Sequence, residues 1–301
     1  MRRWRGLVAA ALSTVALAGC GTPAGLDGDL TDDWRPVGAV TQFAPKAGDC
    51  HLIAAPTSYL TSYQPVDCAR AHLVETFHLG TFTGPLAERP TPPKVGSAAL
   101  RPAFAECAAK ATAFVGGDWR GARLTIQVVP PSPPGWQGGA RWFRCDMYEL
   151  NAIDGDPDYA HGQSDLASQH AGSLRGALKG ASPLAYGCLT TTSWDSFLQT
   201  SCTKSHQYEY VGTWTAPDGR FEEAAAGRET SIHARCRTLV ARYAKVPVDR
   251  ALPYRTGTAF RLPSEEAWAR GDRGIRCFYW SSGKKVTRSI RGGGPRVLPI
   301  G

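Results

Sequence analysis

Two short stretches combine residue types that could do chemistry. "CARAHLVE" at 68–75 and "CTKSHQYE" at 202–209 both read Cys-x3-His-x2-Glu. His72 with Glu75, and His206 with Glu209, could bind a metal, recognise a ligand or form an acid–base pair. Both segments run into what reads as a strand ("HLVETFHLGTF", "HQYEYVGTW"), where residues three apart point to opposite faces. Each Cys is also wanted for a disulfide. The favoured reading is therefore structural, a turn bond made by each His beside a cystine, with ligand recognition and catalysis as the alternatives. Trp136 and Trp268 could line a carbohydrate site. Their fixed distance ahead of a half-cystine instead suits core indoles packed near a bridge. Asp154, Asp156, Asp158 and Asp165 imitate a calcium loop, but Tyr159 stands where that loop needs glycine, and no helix flanks it, so a solvated acidic loop is expected. Gly-x-Ser-x-Gly, His-Glu-x-x-His and phosphate-loop patterns are absent from the sequence. No catalytic residue, resident metal or cofactor is expected.

The compartment decides what the cysteines do. Arg2, Arg3 and Arg5 precede an uncharged apolar run, Leu7 to Leu17, that is short for a membrane span and typical of a secretory signal. Leu17-Ala18-Gly19-Cys20 resembles the lipobox of bacterial lipoproteins, which implies a signal peptide over 1–19, cleavage before Cys20 and lipid on its thiol. Residues 20–44 are rich in Gly, Asp and Pro and read as a flexible tether. The protein is expected on the extracytoplasmic face of the cell membrane, held there by lipid. Setting Cys20 aside leaves eight of nine cysteines, an even number suited to an oxidising compartment. The formal charge is +8, or +5 without the three leader arginines. Anionic headgroups and wall polymers are the partners this suggests, rather than nucleic acid.

The eight cysteines fall into two sets, Cys50, Cys68, Cys107, Cys145 and Cys188, Cys202, Cys236, Cys277. Their surroundings agree in order: "GDC" with "GC", the two Cys-x3-His-x2-Glu elements, "AECAAKATAF" with "ARCRTLVARY", "PSPPGWQGGARWFRC" with "PSEEAWARGDRGIRC", and "SLRG" with "SIRG". Such repetition predicts an α+β chain of two homologous disulfide-stapled domains, near 45–178 and 184–297, each a small sheet with one main helix. The pattern resembles the actinobacterial septum-formation domain, which closes on Pro-x4-Trp-x2-Gly-Asp-Arg-x3-Cys. The first copy departs from it, with Gly139-Ala140-Arg141 where Gly-Asp-Arg is expected. The resemblance implies a link to cell division, with envelope or divisome proteins as partners, and brings no established activity or ligand. The favoured function is a non-catalytic binding or scaffolding lipoprotein, and the alternative is an envelope enzyme acting on wall material through the His-x2-Glu elements.

The elements that position these residues can be read locally. Leu100, Phe104, Cys107, Ala111 and Phe114 recur at helical spacing, as do Ile232, Cys236, Leu239, Val240 and Tyr243. "RLTIQVV" alternates as a strand with one buried face, and "RWFRCDMYEL" and "GIRCFYW" read as strands. Ser132 and Ser264 look like N-caps of short helices, with Gly271 as a stop. Cys145 lies 28 residues before Ser173 but Cys277 only 12 before Ser289, so the first copy carries extra sequence, read as a polar loop. One pattern in both sets and no bridge between them leaves three connectivities. The preferred one is Cys50–Cys68 with Cys107–Cys145, and Cys188–Cys202 with Cys236–Cys277.

Overall fold

The computed structural model describes residues 43–53, 59, 63–151, 153, 167–193, 196–221 and 229–300. All of them fall in one compact unit. The leader, Cys20, nearly all of the tether and the acidic run Asp154–Asp165 lie outside the described residues. The described part is mixed helix and sheet, with two antiparallel sheets and four disulfides. Among the described residues, no helix is long and apolar enough to cross a membrane.

The first sheet contains β1 (Cys50–His51), β2 (Pro65–Val66), β3 (Val74–Thr81), β4 (Leu124–Val129), β5 (Trp142–Leu150) and β6 (Ala167–Ser168). Their order is β2-β1-β3-β5-β4, with β6 added on β5. The second contains β7 (Cys188–Ser193), β8 (Ser196–Thr200), β9 (Tyr208–Thr215), β10 (Gly257–Arg261) and β11 (Gly274–Trp280), in the order β10-β11-β9-β7-β8. One long helix covers a face of each: α1 (Arg101–Val115) and, after the short α2 (Pro133–Gln137), α3 (Glu229–Ala244). Two short helices follow, α4 (Leu252–Arg255) and α5 (Glu265–Arg270).

The helical spacing read from the sequence produces the packing. Leu100, Phe104, Cys107, Ala111 and Phe114 are all buried along α1, with Pro102 in its first turn and left-handed Gly116 at its end. Each fully buried large apolar side chain contributes about 1.5–3 kcal/mol. Ile232, Cys236 and Val240 are buried on α3, while Leu239 and Tyr243 are partly buried against the same cluster. Ser132 Oγ accepts from Gly135 N and Ser264 Oγ from Ala267 N, so both serines cap their helices as read, and Gly271 ends α5 in a left-handed conformation.

Two expectations need correction. "RLTIQVV" was expected to bury one face, yet every residue of β4 is buried. Leu124, Ile126 and Val128 join the core under α1. Thr125 and Gln127, on the other face, are covered too, and Gln127 accepts from the Tyr148 hydroxyl at 2.7 Å. The extra sequence of the first half is not only a loop: Ala167 and Ser168 form β6 against Leu150 and Glu149 of β5.

Cys50–Cys68 ties β1 to the turn before β3, and Cys107–Cys145 pins α1 to β5. Cys188–Cys202 and Cys236–Cys277 do the same for β7 and α3. This is the connectivity preferred from the sequence. The two halves meet through backbone bonds, such as Arg123 N to Leu184 O, through apolar packing and through charged residues. Arg120 pairs with Asp272 at 2.8 Å, and Arg101 Nε donates to Ala269 O at the end of α5. A Cβ on Gly274 would lie 2.2 Å from Arg120 Cδ, so glycine there makes room for that arginine.

Candidate functional site

His72 and His206 sit just ahead of β3 and β9, not inside them. Each makes an isolated two-way backbone bridge, His72 with His170 and His206 with Val286. His72 Nδ1 donates to Arg70 O at 2.7 Å and His206 Nδ1 to Lys204 O at 2.8 Å. A carbonyl can only accept, so Nδ1 carries the proton in both rings. Both Nε2 atoms are buried without a hydrogen-bond partner in the structure. Both residues are buried, 0% and 1% exposed, between a half-cystine and the strand that follows it.

The glutamates face elsewhere. Glu75 takes Ser173 Oγ and Leu174 N, each at 2.7 Å. Glu209 takes Ser289 Oγ, Ile290 N at 2.9 Å and the Tyr243 hydroxyl at 2.6 Å. The carboxylates therefore clamp the "SLRG" and "SIRG" turns, a partnership the sequence pattern held as separate blocks. Burial, followed by the bond to Glu209, pushes the Tyr243 hydroxyl above its ordinary value. Each Glu also lies near its cystine, with a carboxylate oxygen and both sulfurs within 4.8 Å. With the sulfurs joined to each other, no thiolate is available there to hold a metal.

Trp136 and Trp268 are 1% and 3% exposed and share a core cluster with the helix-to-strand bridge of their half. Trp136 Nε1 donates to Arg89 O and Trp268 Nε1 to Gly219 O, while Arg141 and Arg273 lie over the rings at 4.1 and 4.3 Å. The shared Arg of the closing phrase is thus a lid on its own Trp. Neither indole offers a face to a sugar.

A second cluster was not picked out from the sequence. On the outer face of the first sheet, His51 Nε2 meets Thr76 Oγ1 at 3.1 Å, and Thr76 donates to Asp146 Oδ1 at 2.7 Å. Thr76 has one proton to give, so His51 Nε2 is the donor to it. Arg144 pairs with Asp146 at 2.9 Å, and the Tyr63 hydroxyl donates to Asp49. Burial holds His51 below its ordinary value, with Asp146 opposing and Arg144 reinforcing. Burial, then His72, does the same to His170, and burial raises Glu149. The matching face of the second sheet is apolar, built from Leu189, Phe197, Phe278 and Tyr186 with Ile153. The signal lay beside the cysteines: His51 and Asp146 follow Cys50 and Cys145, where Leu189 and Phe278 follow Cys188 and Cys277.

These features define a disulfide-stapled α+β protein whose most suggestive motifs brace its own turns. A family model described as septum formation matches residues 47–277, a stretch containing all eight bridged cysteines. The chain belongs to the septum-formation family, and this gives it a role linked to cell division. No curated protein matches it, and no solved structure does.

Proposed function

We propose that the protein is a lipid-anchored, extracytoplasmic binding or scaffolding protein of the cell envelope, built from two copies of one domain. The observation that carries this reading is the internal use of the paired His and Glu side chains. Both imidazoles are tied to backbone carbonyls and both carboxylates to serine hydroxyls and backbone amides of the same half. Side chains so engaged brace a scaffold, and a duplicated scaffold gains avidity, where a second active site would only double a rate. The leader and Leu-Ala-Gly-Cys motif support the anchor. The domains would then work just above the bilayer, where a growing septum is laid down.

An enzyme acting on wall material is the second reading, and the unpartnered Nε2 atoms of His72 and His206 are what favour it. Three experiments test these readings. A Cys20→Ser protein should leave the membrane fraction with its fold intact, and an export-compatible fluorescent fusion of the unchanged chain should concentrate at septa. Uniform peripheral signal in dividing cells would remove the septal role. Peptidoglycan degradation lost on changing His72 and His206 together, at unchanged melting temperature, would replace the binding reading with the enzymatic one.

A further inference from the structure

The closing strands β5 and β11 end differently in the two halves. In the first, Tyr148 stands three residues past Cys145, is fully buried, and precedes the two residues of β5 that pair with β6. In the second, Trp280 stands three residues past Cys277 and is 38% exposed. The shorter tail there supplies no counterpart of β6 among the described residues. Instead a cleft of about 420 Å³ opens between α4, the end of β11 and residues 297–299. That is a volume suited to a small ring-shaped ligand, within the usual ~300–1,000 Å³.

The lining has a definite chemistry. Tyr254, 70% exposed, and Trp280 supply aromatic surface. Arg255 and Lys284 supply positive charge, and neither meets a carboxylate among the described residues. Arg255 Nη1 donates to Leu298 O, which fixes the guanidinium, and its Nε is buried without a partner. Thr256 and Ser282 add hydroxyls. No Asp or Glu occurs from Arg273 to the end of the chain, while seven Lys and Arg do. The indole is also seated: a Cβ on Gly257 would lie 2.8 Å from Trp280 Cε3, so only glycine lets the ring rest on β10. Ser282 and Gly283 both have positive φ, 55° and 84°, in the turn that carries Lys284 beside that ring.

We propose that this cleft binds an anionic saccharide, a sugar ring stacked on Tyr254 and Trp280 with its carboxylate or phosphate held by Arg255 and Lys284. Aromatic faces suit the C–H face of a sugar, and paired cations with hydroxyls suit its acid and alcohol groups. The hydroxyls and cations that line the cleft beside these rings argue against a lipid-inserting surface, whose inserted face is apolar. The inference rests on the binding-protein reading above and gives it a ligand class.

The test uses the full chain carrying Cys20→Ser, in its oxidised form, with oligogalacturonate as probe. Neutral dextran oligomers and phosphatidylglycerol vesicles are the comparison arms. Oligogalacturonate should bind at low salt and dextran at least about tenfold more weakly. Tyr254→Ala and Lys284→Ala should each weaken oligogalacturonate binding about tenfold at unchanged melting temperature, whereas Lys110→Ala, on α1, should change nothing. The proposal is overturned if oligogalacturonate does not bind, or if Tyr254→Ala leaves its binding intact. It is also overturned if Lys110→Ala weakens binding as much as Lys284→Ala, or if Tyr254→Ala abolishes vesicle binding alone. Each of these failures would leave the fractionation and septal tests of the anchored protein standing, so the two readings fail separately.

Discussion

Replacing Glu209 once by alanine and once by glutamine separates a brace from a catalytic carboxylate. The group is 1% exposed and accepts from Tyr243, Ser289 and the Ile290 amide. Hydrogen bonds to a charged group contribute about 1.5–3 kcal/mol each, and donors left unpaired in the interior add a penalty. The two hydroxyls can turn to other acceptors but the Ile290 amide cannot, so Glu209→Ala should cost about 4–6 kcal/mol. Glutamine can present its carbonyl to Ile290 N and its amide to the two hydroxyl oxygens, which keeps every bond at neutral strength. Glu209→Gln should therefore cost only about 1–2 kcal/mol. Glu75 has two such bonds because Phe114 stands where Tyr243 stands, so Glu75→Ala should cost less, about 3–4 kcal/mol. Urea unfolding of the oxidised chain, followed by near-ultraviolet circular dichroism, gives the order directly. Equal losses for Ala and Gln, or a loss below about 1 kcal/mol for Glu209→Ala, would refute the brace.

Three further outcomes follow from the geometry. Removing Cys236–Cys277, which spans 41 residues, should cost about 1 kcal/mol more than removing Cys188–Cys202, which spans 14, when both pairs are changed to alanine and compared by urea unfolding. Arg120→Ala and Asp272→Ala should be coupled by about 1 kcal/mol in a double-mutant cycle, since the pair is mostly buried between the halves; purely additive losses would deny it a role in joining them. His51 and His170 are held below the ordinary 6.5, so below that pH the unfolded chain binds more protons and the folded state loses stability. The melting temperature should drop from about pH 7.5 to about pH 5.5, and His51→Gln should shrink the drop; raised Glu149 acts in the opposite sense, near its lower titration range.

Much of this architecture was legible because it follows short-range rules. Helical spacing around Cys107 and Cys236, serine caps ahead of Trp136 and Trp268, and the order of the cysteines each report local structure directly. Requiring the two sets to agree narrows the bridges to three connectivities, and the structure has the preferred one. What stayed hidden depended on partners distant in sequence. Glu75 and Ser173 lie 98 residues apart, and nothing in either block names the other. The buried polar face of β4 was misread because alternation tells which residues share a face, not whether Tyr148 comes down to cover the second one. The network of His51, Thr76 and Asp146 was missed for the opposite reason. Its residues are not ones the two sets share, since His51 and Asp146 stand where the second set has Leu189 and Phe278.

The order of the bridges has a consequence for how the chain matures. Every half-cystine is joined to the next one along the sequence, 50 to 68, 107 to 145, 188 to 202 and 236 to 277. A chain entering an oxidising compartment from its N-terminus presents its thiols in that order, so an oxidase acting on each pair as it emerges makes the native set with no reshuffling by an isomerase. The scheme is sensitive to parity. A free thiol at Cys20 would move the whole count by one, coupling Cys20 to Cys50 and Cys68 to Cys107. Acylation of Cys20 would thus do more than hold the protein to a surface: by withdrawing the first thiol, it would keep all the later ones in step.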